Sequence, residues 1–305
     1  MRFRVTHATR YRYSGPVVSC YNVARLRPRT TARQRCLTSE LSVDPTPSRA
    51  YRWDDLFGNH TDYFTIHDQH SALTVTAVSE VEVVSAGKLL ESAFPIPWER
   101  ARDYLKSTTD AAVLDARQYC LESPLIGLHR EMAAYAEPSF KAGVALLTAV
   151  EDLMGRIHRD FRYDPSFTNI ATPLGDVLAH RRGVCQDFAH LAIACLRSHG
   201  LAARYVSGYL ETAPPPGGEK LTGADASHAW FSVYVPHQGW VDFDPTNDQV
   251  PADRHITTAW GRDYADVAPL KGVLFGGGES QAMQVSVDVV RVAESRSEAS
   301  DGAAV

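Results

Sequence analysis

Arg182-Gly183-Val184-Cys185-Gln186-Asp187-Phe188-Ala189-His190 is a loop that becomes a helix with a cysteine at the boundary. Beyond Val184, the apolar residues Phe188, Leu191, Ala192, Cys195 and Leu196 recur at helical spacing. Gly200 supplies the stop, so the spacing predicts a helix that begins at or just before Cys185. The sulfur then meets backbone N–H groups that have no partner inside the helix. Those groups and the positive helix end favour S⁻ over SH, and Arg181 and Arg182 add charge nearby. The competing reading is an inert packed thiol, since free cysteine is among the most buried residue types.

With 305 residues, the chain is long enough for two domains, and 44% hydrophobic with 22% charged is ordinary for a globular protein. No run approaches the roughly 18 apolar residues of a membrane span, and the start MRFRVTHATRYRY lacks the apolar core of a signal peptide. A cytoplasmic protein with no membrane partner is the expectation. The five cysteines are scattered without the spacing of a zinc site or a disulfide framework, so reduced thiols and no metal are expected. A net charge of −5 gives no pull toward nucleic acid. Residues 1–52 nevertheless hold eleven arginines against Glu40 and Asp44. Docking of an acidic partner would use that excess, solvated faces of a β domain or pairing with the acidic remainder explain it at least as well, and no nucleic-acid recognition motif accompanies it.

Residues 1–86 read as strands. Phe3, Val5 and His7 alternate with Arg2, Arg4 and Thr6, and Leu73, Val75, Ala77, Val81 and Val83 alternate with Thr74, Thr76, Glu80 and Glu82. An antiparallel β-sandwich-like domain follows from this pattern and its intervening turns. His67 and His70, three apart on a strand, face opposite ways and read as surface histidines. From about Phe94 to Phe161 the pattern is helical, with Ser123-Pro124 as a helix start and Val144, Leu147, Val150, Met154, Ile157 and Phe161 as a core stripe. Residues 87–292 form the second unit, closed by a return strand at Met283, Val285, Val287 and Val289. Residues 293–305 read as a disordered tail.

After the cysteine helix come strands at Tyr205 to Glu211, His228 to Val235 and Trp240 to Asp244, the last two joined as a hairpin through Pro236-His237-Gln238-Gly239. If Tyr234 pairs with Trp240, His228 and Asp244 become diagonal neighbours on one sheet face, about 7–8 Å apart at Cβ. Packing of the cysteine helix on that sheet then assembles a nucleophile, a base and the group that orients the base. Asp187 reads as a partner of the helix N-terminus, and Asp242 lies too far along its strand to orient the histidine. Phe275-Gly276-Gly277-Gly278 reads as a flexible turn. The papain signature around the cysteine is absent, and the histidine follows 43 residues later instead of roughly 130–150.

Three motifs in order, Gly183 to Ala189, Ser227-His228-Ala229-Trp230 and Gly239 to Thr246, resemble the bacterial transglutaminase-like proteins. Leu26-Arg27-Pro28-Arg29 and Asp54 to Asn59 are similar to that family's N-terminal region, and Gly261-Arg262-Asp263-Tyr264 to its C-terminal part. The resemblance implies an α+β fold with a papain-like core beside the β domain. It also implies a Cys185, His228 and Asp244 triad and no required cofactor. On that basis, a peptide or protein amide is the expected substrate and hydrolysis through a thioester the expected reaction. Acyl transfer to an amine and a non-catalytic peptide-binding module are the alternatives. The oxyanion would be held by the Cys185 backbone N–H and a second donor, for which Tyr163 is the candidate. The Pro/Gly-rich segment Thr212 to Asp225 is expected to border the site mouth as a lid or as a plain connection.

Overall fold

The computed structural model describes residues 1–84, 95–169, 172–212 and 227–292. The alternation at the start of the chain extends into one long strand, β1 (Arg2–Ala24), whose Phe3, Val5, His7 and Thr9 turn inward. It is followed by β2 (Gln34–Asp44), β3 (Arg49–Asp54), β4 (His60–Ile66) and β5 (His70–Val83). In β5 the residues Leu73, Val75, Ala77, Val81 and Val83 are buried, on the parity read from the sequence. These strands pair antiparallel in the order β2-β5-β1-β4-β3. β1 pairs with β5 over most of its first half and with β4 over its last residues, and the sheet curls around Val17, Cys20, Leu26, Phe64, Ile66 and Leu73. Part of the arginine excess is answered inside this domain, where Arg2 and Arg4 bond Glu80, Arg25 bonds Asp55, Arg35 bonds Glu82 and Arg52 bonds Asp62.

His70 departs from the surface reading. Only 7% of it is exposed, and its Nδ1 lies 2.7 Å from the Asp68 carbonyl, whereas His67 is exposed. The pattern foretold opposite faces for the two but not that one of those faces is the inside of a curled sheet.

The helical region holds α1 (Trp98–Ser107), α2 (Ala111–Arg117), α3 (Arg130–Ala136) and α4 (Leu146–Asp160). Ser123-Pro124 does not begin a helix. Ser123 and Ile126 exchange backbone hydrogen bonds at 3.0 Å in a tight turn, and the buried Asp263 carboxylate accepts from the Leu125 N–H. That tether holds the segment in the turn, and the next helix waits until Arg130.

Then come β6 (Arg162–Tyr163), α5 (Leu174–His180), β7 (Arg182–Gly183), α6 (Cys185–Ser198), β8 (Ala203–Leu210), β9 (Ser227–Val235), β10 (Gly239–Phe243), β11 (His255–Gly261) and α7 (Tyr264–Val267). β8 to β11 form an antiparallel sheet in the order β10-β9-β8-β11. Helix α6 is the centre of this half, buried on every side from Asp187 to Arg197. Full burial of each large aliphatic side chain such as Leu191 or Ile193 stabilises by about 1.5–3 kcal/mol, so the helix is held by packing more than by propensity. The Arg197 cation in its last turn is satisfied by the carbonyls of Leu121, Ala203 and Arg262 and by the Ser123 hydroxyl.

β12 (Leu270–Gly276) and β13 (Gln281–Arg291) both pair with β1. The sequence reading leaves the return strand with residues 87–292, but its hydrogen bonds put it in the first sheet. The Phe275 to Gly278 stretch ends β12 and turns into β13, with Gly276, Gly277 and Gly278 all at positive φ. The two halves share a cluster in which Phe3, Val5, Val81, Val83, Val287 and Val289 meet Tyr209 and Ile256. Among the described residues, no helix is long and apolar enough to cross a membrane. The segment read between Thr212 and Asp225 lies, beyond Thr212, outside the described residues, as does the tail 293–305.

Candidate active site

Helix α6 starts at Cys185, as its apolar spacing predicts, with Val184 in extended backbone before it. Asp187 closes the start. Its carboxylate accepts from the Val184 N–H at 2.8 Å and from the Thr168 hydroxyl at 2.7 Å, and it is 2% exposed. This one-sided cap satisfies one N–H of the entering chain and sets an acid against the helix N-terminus. Gly183 is needed for it, because a Cβ there would meet Asp187 Cβ at 2.8 Å. The half-buried Cys185 is thus held on a rigid first turn, packed at the edge of the main core. Arg181 and Arg182, expected to lend charge to the sulfur, lie 3.9 Å from Asp160 and 3.7 Å from Asp164 respectively.

The register assumed for the hairpin is the one found. Trp240 pairs with Tyr234, Asp242 with Ser232 and Phe243 with Phe231. The ladder ends there, and Asp244 bridges instead to Gln249. Helix α6 packs with Ala229, Phe231, Val233 and Val235, the parity of β9 opposite to His228. Cysteine and histidine therefore meet at the end of the strand, where the helix begins, and not across the sheet face. Gly208, paired with His228, permits the close strand packing behind it, since a Cβ there would fall 2.0 Å from the Ile256 carbonyl oxygen.

His228 Nε2 lies 2.7 Å from Asp244 Oδ2, and Cys185 lies close enough to act on the charge of the His228 ring. With Nε2 turned to the carboxylate, Nδ1 is the nitrogen left for the sulfur. Burial disfavours the imidazolium, but the hydrogen bond to Asp244 and the neighbouring Cys185 outweigh it and push the His228 pKa up to about 10. Asp244 is fully buried, and burial alone would raise its pKa. Hydrogen bonds from His228, His255 and Asn247 reverse that and hold it well below the usual carboxylate range. The backbone N–H groups of Thr246 and Asn247 donate to its other oxygen at 3.0 and 3.3 Å. An ionised, immobile carboxylate beside a histidine is what orients an imidazole and stabilises its charge.

The sequence reading missed His255. It sits at the start of β11, 7% exposed, with Nε2 3.0 Å from Asp244 Oδ2. Burial lowers its pKa, so it stays neutral, and facing an acceptor it carries its proton on Nε2. The run His255-Ile256-Thr257-Thr258-Ala259-Trp260 is rich in β-formers and was the available signal for this strand. Nothing in it told which histidine would reach the carboxylate. His228, Asp244 and His255 offer ligand atoms within 4.8 Å of one another and are the described residues able to hold a metal ion. Their observed spacing is that of hydrogen bonds.

Tyr163 lies in β6, paired with Gly183 just before the cysteine. It is 52% exposed, and its pKa is raised by partial burial and by the nearby Cys185 and Asp187. Asp242 is turned away from the histidine and bonds Ser232. His190, on α6, is buried, bonds the Tyr264 backbone N–H at 3.1 Å, and has its pKa lowered to about 3 by burial.

Comparison with known proteins agrees with this architecture. Residues 3–82 match the bacterial transglutaminase-like N-terminal region, and residues 133–245 match the transglutaminase-like superfamily. An uncharacterised protein of Mycobacterium tuberculosis is 44% identical over 295 residues, 95% of this chain and 92% of that one. Another from Mycobacterium leprae is 35% identical over 296 residues, 96% and 99% of the two chains. A Pseudomonas aeruginosa protein named protein-glutamine gamma-glutamyltransferase is 36% identical over 102 residues, 32% of this chain and 15% of its own length. In fold, the chain is similar to a protein of Cytophaga hutchinsonii solved as a candidate cysteine protease. The TM-score is 0.73 at 20% identity, over 97% of this chain and 92% of the other.

Proposed function

Since the chain belongs to the bacterial transglutaminase-like proteins, we propose that it is a cysteine hydrolase that cleaves a peptide or protein amide through a thioester on Cys185. The observation that carries this reading is the largely buried His228–Asp244 pair, 2.7 Å apart, with Cys185 beside the histidine at the start of a helix. A binding module has no use for a buried carboxylate gathering five donors to orient one histidine.

In this mechanism the Cys185 thiolate attacks the amide carbonyl carbon, forming the C–S bond as the carbonyl electron pair moves to oxygen. The oxyanion lies against the Cys185 backbone N–H, an unpaired donor of the first helical turn. Tyr163, half-exposed within the field of Cys185, is the proposed second donor. The oxyanion collapses, the C–N bond breaks, and the proton on His228 Nδ1 goes to the departing amine. Water then attacks the thioester, gives its proton to Nδ1, and the carboxylic acid leaves as the thiolate is restored. Asp244 keeps its charge throughout and holds the ring by Nε2.

Acyl transfer to an amine is the second reading. It uses the same thioester with an amine in place of water, and the Pseudomonas aeruginosa relative's name favours it. The deciding experiment is mass spectrometry of acid-quenched protein after incubation with a peptide library, with and without a primary amine. A Cys185 thioester with a free-acid product supports hydrolysis. An amine-linked product supports transfer, and the absence of any covalent adduct with peptides that bind would defeat both.

A further inference from the structure

Behind the candidate active site, between the start of β2 and the sheet β8 to β11, lies a cavity of about 180 Å³. Arg204, Asp242, His255, Trp240 and Trp260 line it, whereas neither Cys185 nor His228 does among the described residues. It is a different compartment from the one that would receive a scissile amide.

Two buried groups of its wall lack partners, and the half-buried Asp242 carboxylate lies beside them. Arg204 is 8% exposed, and its Nε has no hydrogen-bond partner. Its guanidinium carbon lies 4.3 Å from the centre of the Trp240 ring and 3.8 Å from that of Trp260. The rings stabilise the cation but supply no acceptor in the plane of its N–H groups. Asp242 acts on Arg204 through its charge but forms no ion pair with it among the described residues, and one of its oxygens accepts from Ser232. The second unpartnered group is His255 Nδ1, a buried lone pair with no donor, since Nε2 is committed to Asp244. Buried polar groups of this kind are normally hydrogen-bonded, and leaving them unmade is costly.

The complement of these three groups is one molecule with a planar pair of acceptors at one end and a charged donor at the other. The acceptors answer the fork of Arg204, and the donor answers Asp242 and the bare Nδ1 of His255. The charges of Arg204 and Asp242 cancel, so a zwitterion fits better than a simple anion or cation. The volume is close to that of the roughly 150 Å³ cavity known to hold benzene, which limits the guest to a small molecule. Val83 and Val206 add apolar wall for a short side chain. We propose that this cavity binds a free α-amino acid with a small side chain, its carboxylate on Arg204 and its ammonium between Asp242 and His255 Nδ1. Through His255, the guest would contact the carboxylate that holds His228.

The test uses the full-length Cys185→Ala protein, so that binding is read without turnover and independently of the hydrolytic reading. Glycine, L-alanine, L-leucine, acetate and methylammonium are titrated by calorimetry, with tryptophan fluorescence reporting Trp240 and Trp260. The expected result is saturable one-to-one binding of at least one amino acid, with acetate and methylammonium each weaker by about tenfold or more. Asp242→Asn should weaken the amino acid by a similar factor. Because a change inside the cavity can disturb folding, the exposed rim residue Ala32 provides the second variant. Ala32→Trp should abolish binding while leaving the melting temperature unchanged. No saturable binding by any of the three amino acids would overturn the proposal. So would acetate binding as tightly as they do, or binding that survives both substitutions.

Discussion

His255 Nε2 lies 3.0 Å from Asp244 Oδ2, the same oxygen that receives His228 Nε2 at 2.7 Å. Two histidines thus share one buried carboxylate, and the neutral one holds it in place for the other. His255→Phe removes one charge-assisted hydrogen bond, and the expected loss is about 10- to 100-fold in kcat with KM little changed. His255→Gln, which can still donate, should recover most of it. Equal loss in both variants, or a loss confined to KM, would show that His255 only packs.

The cysteines should separate sharply by reactivity. Burial pushes the Cys195 thiol up to about 12 and the Cys120 thiol up to about 11, and it raises Cys20 and Cys36 as well. Cys185 sits at the helix start, beside His228. With limiting iodoacetamide at neutral pH, peptide mapping should find Cys185 labelled first. Preferential labelling of any other cysteine in the folded protein contradicts the nucleophile assignment.

Asp244 and Asp242 make a matched pair of tests two residues apart. Asp244→Asn replaces an acceptor of five hydrogen bonds, and turnover should fall by about 10⁴, the size of loss seen when a triad aspartate becomes asparagine. Asp242→Asn, remote from His228, should leave turnover within a few-fold of wild type. A larger effect from Asp242→Asn would reverse the assignment.

The pH dependence follows from His228. Its folded pKa of about 10 lies above the ordinary histidine value of 6.5, so its charged partnership contributes stability that is complete below 6.5. That contribution declines as pH rises and is gone above about 10. Asp244 has the opposite sign, and its contribution is lost only in acid, below the ordinary carboxylate range. Melting temperatures should therefore fall between pH 7 and 10 more steeply for wild type than for His228→Gln. Activity should fall on the alkaline side as the proton needed by the leaving amine is lost. Parallel melting curves for the two proteins would refute this.

Much of the site is legible in residue order because the elements carrying it are local. The start of α6 follows from helical spacing and Gly200, and the β9–β10 register follows from a turn of fixed length, so Cys185, His228 and Asp244 could be named before any coordinates. The alternation of β1 and β5 likewise belongs to the chain itself. What only the tertiary structure decided depends on contacts between distant segments. His255 reaches Asp244 because β11 lies on the far side of β8, an order of strands that no local pattern encodes. β13 joins β1 from more than 250 residues away, and its alternation indicates a strand without indicating its neighbour. Ser123-Pro124 has the residues of a helix start, but a hydrogen bond from Leu125 to the distant Asp263 holds that segment in a turn. Periodicity determines which face of an element is apolar. Which other element covers that face is set by the packing of the whole chain.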